Sequence, residues 1–167
     1  PKVGGNPFPF PGATIVSALL RPESKGHVKI LSADPFEAPE IQPNYLTAQK
    51  DRDVLVGAVR IMRKITNQSQ FLKYVVEEHE PGPDCINDDE IVDYLYRMAR
   101  TSYHPVSTCR MGTDPTAVVD ERLRVYGIEG LRVADASIMP TLISGNTNAP
   151  AIMIGEKASD MILEDAA

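Results

Sequence analysis

A chain of 167 residues is long enough for one sizeable core, since a domain of this size removes roughly 70% of its unfolded surface from water. Hydrophobic residues at 43% and charged residues at 24% exclude a disordered or fibrous chain. A formal net charge of −6 repels nucleic acid and anionic membranes, which recruit partners through clustered Lys and Arg, so a small-molecule partner is expected, with no nucleic acid.

The opening, Pro1 to Gly12, is rich in Pro and Gly and has no charged segment followed by an apolar one, so it reads as a cut inside a longer chain rather than as a signal peptide. Ala13 to Leu20 is a β-branched, apolar run suited to a buried strand. After a turn at Glu23 to Gly26, Val28 and Ile30 alternate with Lys29, which predicts a β-hairpin between His27–Leu31 and the preceding run. Pro35, Pro39 and Pro43 then impose an extended surface segment.

From Asp51 to Thr66 the residues Val54, Leu55, Ala58, Ile61, Met62 and Ile65 recur at three and four, predicting a helix with one core-facing stripe. Acidic residues open it and Arg60, Arg63 and Lys64 close it, as the helix dipole favours. A second helix is predicted to start at Asn87, capped by that side chain with Glu90 reaching back, to bury Ile91, Leu95 and Met98, and to end near Ser102. That end delivers Tyr103 and His104 to an irregular loop, where functional groups often sit. Leu123–Tyr126 and Leu131–Val133 read as two short strands around a Gly127 to Gly130 turn. The last helix is predicted from about Ala149 to Leu163, with Asn148 as N-cap and Pro150 tolerated in the first turn. No apolar run approaches the roughly 20 residues of a membrane span.

Two segments carry the chemistry: YHPVSTCRMG at Tyr103 to Gly112 and LRVADASIMPTLISGNTNAPAIMIGEKASDMI at Leu131 to Ile162. With VVDERLRVYGIEG between them and RPESKGHVKILSADPFEAPEIQPNYL at Arg21 to Leu46, they resemble the C-terminal domain of the glucose-methanol-choline (GMC) family of FAD-dependent oxidoreductases, of the choline dehydrogenase and alcohol oxidase type. The resemblance implies an α+β fold: a mostly antiparallel sheet with helices on one side, and a C-terminal segment that belongs to the FAD-binding layer. On that division residues 1–103 supply the substrate-side sheet and helices, and residues 104–167 the catalytic loop, strands and helix that return to the FAD domain.

The resemblance also implies site residues. His104 occupies the position of the family's active-site histidine, and Asn146 the second position, filled by His or Asn in different members, both facing the flavin across the substrate. Tyr103, Asp135, Ala136, Thr147 and Asn148 are implied to approach the FAD. Ser107 stands where many relatives have Gly, a departure that bears on the backbone of the loop. The GxGxxG segment with which the family binds the ADP part of FAD does not occur in these residues, so this chain alone is expected to hold FAD weakly and to be inactive without an N-terminal FAD-binding domain or chain as partner.

The residue types suit these roles. Oxidising an alcohol removes a hydride from carbon and a proton from the hydroxyl, and a histidine accepts a proton near neutral pH. The Asn146 amide hydrogen-bonds an alcohol oxygen without titrating. The start of the last helix follows directly, and its unpaired N–H groups, Ala149 among them, would favour the negative charge of a reduced flavin.

Simpler readings stand beside these. Asn146 alone is an ordinary turn residue, and Asp135 alone reads as the cap of a turn after a strand. Cys109 has no base placed beside it and is read as a small buried thiol, while Cys85 and Cys109 allow one bridge at most. His27 and His79 are too far apart to suggest a metal, and His79 in EEHEPGPD reads as part of a solvated loop. Asn67-Gln68-Ser69 matches the glycosylation acceptor pattern, which occurs often by chance. The competing functions are a flavin-containing hydroxynitrile lyase, in which the same histidine does acid–base work without net oxidation, and a noncatalytic interaction module. Substrate, electron acceptor and compartment stay open.

Overall fold

The computed structural model describes residues 8–167; the first seven residues of the Pro- and Gly-rich opening lie outside it. The architecture is α+β. Strands β1 (His27–Lys29) and β2 (Glu40–Gln42) form a two-stranded antiparallel sheet, and the helices are α1 (Gln49–Thr66), α2 (Ser69–Leu72), α3 (Asp88–Met98) and α4 (Asn148–Asp165), with a 3₁₀ turn at Ala136–Ile138. The described residues divide into two compact units: one holds Gln49–Ala99 with residues 8–19, the other Leu20–Ala48 with Arg100–Ala167.

In the first unit α1 packs on α3, and the residues removed from water are Leu55, Val56 and Val59 on α1 and Ile91 and Leu95 on α3. The expected stripe of α1 is therefore rotated. Val54, Ile61 and Ile65 of that stripe are exposed, because α1 carries apolar residues on two adjacent faces and only one meets α3. The start of α3 follows the sequence closely: the Asn87 side chain accepts from Glu90 N–H (2.9 Å) and the Glu90 carboxylate accepts from Asn87 N–H (3.0 Å) and Ile86 N–H (2.7 Å). Its end comes at Met98, before Ser102, where Ala99 turns to extended backbone.

Arg63, in the last turn of α1, ties down the loop that leads to α3. Its guanidinium donates to both Glu78 carboxylate oxygens (2.9–3.1 Å), to the Cys85 carbonyl (2.7 Å) and to the Gly82 carbonyl (3.0 Å). His79 in the same loop lies edge-on against the rings of Phe8 and Phe10, with centroids 4.8 and 5.1 Å away. The solvated loop expected here is thus anchored by aromatic contact, though His79 remains exposed. Ala13 to Leu20 forms no strand and is largely exposed; β-branched residues favour an extended backbone, but a strand exists only where a second one pairs with it.

In the second unit, β1 takes β2 as its partner, not the preceding run, with Val28 opposite Ile41. The crossing is close at Gly26: a Cβ there would stand 2.1 Å from the Gln42 carbonyl oxygen, so only glycine lets the chain pass. The strands expected at 123–126 and 131–133 are reduced to single bridges, Val119 with Val125 and Arg124 with Arg132, around a turn whose Gly127 and Gly130 have φ of +77° and +72°. Their interior side chains join a core of Val119, Leu123, Ile138, Met139, Ile154 and Ala158, the last two from α4.

The C-terminal end of α4 is fastened by two arginines of the bridged segment. Arg122 donates to the Met161 carbonyl (3.1 Å) and pairs with Glu164 and Asp165, while Arg132 pairs with Asp165, placing positive charge where the helix carbonyls are unpaired. Cys85 and Cys109 are free thiols. Among the described residues no helix is long and apolar enough to cross a membrane.

Candidate active site

The loop carrying His104 takes its shape from the segment around the 3₁₀ turn. Cys109 N–H donates to the Ser137 carbonyl (3.1 Å) and Met111 N–H to the Ile138 carbonyl (2.8 Å), so the two segments run side by side. Ser107 has φ of +74°, in the left-handed region that costs a non-glycine residue roughly 1–2 kcal/mol. Its hydroxyl donates to the Met139 carbonyl (2.7 Å), a bond glycine could not make, which offsets that cost. A serine thus stands in a conformation for which glycine is the usual solution. Tyr103, one residue before His104, also has positive φ (+61°) and an exposed side chain.

His104 and Asn146, 42 residues apart in sequence, meet: the imidazole Nε2 lies 3.1 Å from Asn146 Oδ1. The other ring nitrogen, Nδ1, lies 2.9 Å from the Thr147 hydroxyl and 3.5 Å from the Thr147 backbone N–H. That N–H can only donate and Asn146 Oδ1 can only accept, an arrangement that suits a ring with its hydrogen on Nε2 and a lone pair on Nδ1. His104 is half-buried and Asn146 is exposed, while Thr147 is buried beneath them.

Thr147, and not Asn148, precedes the first helical residue of α4, and its carbonyl accepts from Ala151 N–H (3.0 Å). A threonine in this position usually turns its hydroxyl onto the N–H two or three residues on. Here it makes no such bond, and the third residue on is Pro150, which has no N–H to offer. The hydroxyl is released to His104. The local signal for this contact was therefore present as Thr147 followed three residues later by proline, but its partner lies 43 residues away.

The remaining expected site residues lie in two places. Asp135 caps the 3₁₀ turn, accepting from Ser137 N–H (2.7 Å), and Ala136 is partly buried against the core. Asn148, exposed, is the first residue of α4. Arg21 donates to the Ser144 hydroxyl (2.6 Å), two residues before Asn146.

A family model described as GMC oxidoreductase matches residues 22–155. The oxygen-dependent choline dehydrogenase of Cronobacter sakazakii is 48% identical over 143 residues, which are 86% of this chain and 26% of that protein. An alcohol dehydrogenase (acceptor) of Pseudomonas putida is 45% identical over 152 residues, 91% of this chain and 28% of that protein. Among solved structures, pyridoxine 4-oxidase from Mesorbium loti superimposes with a TM-score of 0.78 at 35% identity, over 84% of this chain and 28% of that one. An FAD-dependent oxidoreductase from Chaetomium thermophilum gives 0.81 at 32% identity, over 88% and 26%. The chain spans about a quarter of the length of the relatives it matches.

Proposed function

The chain belongs to the GMC oxidoreductase family, in the part that a C-terminal family model covers, and from that premise we propose that it forms the substrate side of an enzyme oxidising the CH–OH group of an alcohol with FAD. The observation that carries this reading is the meeting of His104 and Asn146 at 3.1 Å, at an exposed edge just before the start of α4.

The division of labour follows from the side chains. His104 takes the hydroxyl proton, and Asn146 hydrogen-bonds the same oxygen and holds it toward the ring. Bound FAD would supply the hydride acceptor. The residues present suit it: Asn146 and Asn148 are exposed amides, and the first N–H groups of α4 receive no cap from the Thr147 side chain, leaving donors and partial positive charge for a flavin that gains negative charge. Tyr103, Asp135, Ala136, Thr147 and Asn148 are the residues we assign to its approach. Residues 104–167 are read as the segment that returns to an FAD domain, and residues 1–103 as the substrate side. The nucleotide half of FAD falls to an N-terminal FAD-binding domain or chain, without which we expect no activity.

The test is made on the complete gene product, purified with its bound flavin and mixed anaerobically with choline and a series of primary alcohols. Bleaching of the oxidised flavin absorbance is expected with at least one of them; turnover of a cyanohydrin without bleaching would instead establish a lyase. His104→Ala is expected to lose roughly 10²–10⁴-fold in kcat. Full turnover in that variant would defeat the assignment of His104 as the base.

A further inference from the structure

We propose that Thr147 is a positioning residue for His104, its hydroxyl being the group that makes the base-competent tautomer of the imidazole available. This rests on the reading of His104 as the proton acceptor.

The geometry at the ring states the difficulty. As the backbone N–H of Thr147 points at Nδ1, the resting ring keeps its hydrogen on Nε2, where it donates to Asn146. A ring in that state has no lone pair on the side facing Asn146 and cannot take a proton there. To do so, the hydrogen must sit on Nδ1, and Nδ1–H then needs an acceptor. The backbone N–H cannot serve; the Thr147 hydroxyl, 2.9 Å away, can.

A hydroxyl both donates and accepts, and it changes role by rotating about its own C–O bond. With Nδ1 bare, the Thr147 O–H donates to it. With Nδ1 protonated, Oγ1 accepts, and Nε2 is free for the substrate proton, while the Asn146 amide can turn end for end to offer its NH₂ in place of its oxygen. After proton transfer both ring nitrogens carry hydrogen, and Nδ1–H still has Oγ1 as acceptor. The Thr147 hydroxyl therefore offers Nδ1 a partner in all three states.

Two features show that the hydroxyl is committed to this contact. Thr147 is buried, at 9% exposure, so water is a poor substitute partner. Of the two backbone positions that could compete for Oγ1 at the start of α4, Pro150 has no N–H and Ala149 makes no bond to it.

The experiment uses the complete flavin-bound gene product and the best alcohol from the screen described above, with Thr147→Val, which keeps the shape and removes the hydroxyl, and Thr147→Ser, which keeps the hydroxyl. Thr147→Val is expected to lose roughly 10- to 100-fold in kcat with little change in KM and in flavin content, and Thr147→Ser to stay within about threefold of wild type. Ring signals of ¹⁵N-labelled His104 should show the Nε2–H tautomer with a measurable admixture of Nδ1–H in wild type and Thr147→Ser, and the Nε2–H tautomer alone in Thr147→Val. Wild-type kcat and ring signals in Thr147→Val would overturn the proposal, as would equal losses in Val and Ser with unchanged ring signals, which would mark a packing role. Full turnover of His104→Ala would defeat the base reading instead, and a Val-specific change in the ring signals would remain visible beside it.

Discussion

The two compact units hold themselves together by different means. The unit of α1 and α3 is regular: two amphipathic helices close on Leu55, Val59, Ile91 and Leu95, and one arginine, Arg63, fastens the loop between them. The unit with His104 and Asn146 has little regular structure apart from α4 and a two-stranded ribbon. There the backbone is set by single bridges, by positive-φ residues such as Ser107 and Leu123, and by hydrogen bonds between side chains and carbonyls. Apolar burial tolerates small displacements, whereas a hydrogen bond of 2.7–3.1 Å does not. The proposed site, which needs an imidazole at a fixed place, thus lies in the region where directional bonds dictate position.

The sharpest way to break the comparison is to remove apolar volume from the helical unit. Ile91 is wholly buried, and Ile91→Ala is expected to cost about 2–5 kcal/mol, seen as a lower denaturant midpoint; a loss below ~1 kcal/mol would mean that the α1–α3 contact is not the main support of that unit. Next comes Arg63. Glu78 hydrogen-bonded to its guanidinium raises the arginine further above its ordinary range, with burial opposing, so Arg63→Ala should cost about 1–3 kcal/mol and expose the 78–85 loop to proteolysis. A cleavage pattern identical to wild type would count against the clamp.

In the site-bearing unit a smaller change is diagnostic. Ser107→Ala keeps the left-handed backbone and loses the bond to Met139, so it should destabilise by about 1 kcal/mol, while Ser107→Gly loses the bond but relieves the backbone and should be nearly neutral. Thermal melts of the pair measure the difference; alanine and glycine behaving alike would remove the strain account of this loop.

The mildest effect is acid sensitivity. The Asp165 carboxylate is held below its ordinary range first by its hydrogen bond to Arg132 and then by that to Arg122, and Glu90 is lowered by the N–H groups of Asn87 and Ile86. A folded-state value below the unfolded one means a contribution that is complete above the unfolded value, about 4, and lost as pH falls through the lower folded one. Melting temperature should therefore decline below pH ~4, and Asp165→Asn should flatten that decline. Both groups are at the surface, so the effect is modest and shrinks in high salt.

The sequence by itself determined the three long helices, though not the short α2, and the identity of the pair that meets. Bonds from each residue to the fourth before it make a helix a local object, so the periods of α1 and α3, the capping box at Asn87 and the length of α4 were readable from their own residues. The motifs around His104 and Asn146 likewise named the two side chains that meet. Tertiary structure decided what depends on residues far apart: that β1 pairs with β2 while Ala13 to Leu20 stays unpaired, which face of α1 is buried, and that the Thr147 hydroxyl serves an imidazole 43 positions earlier instead of its own helix. Strand pairing and side-chain partners are nonlocal choices among many compatible ones, and no pattern within a short window carries them.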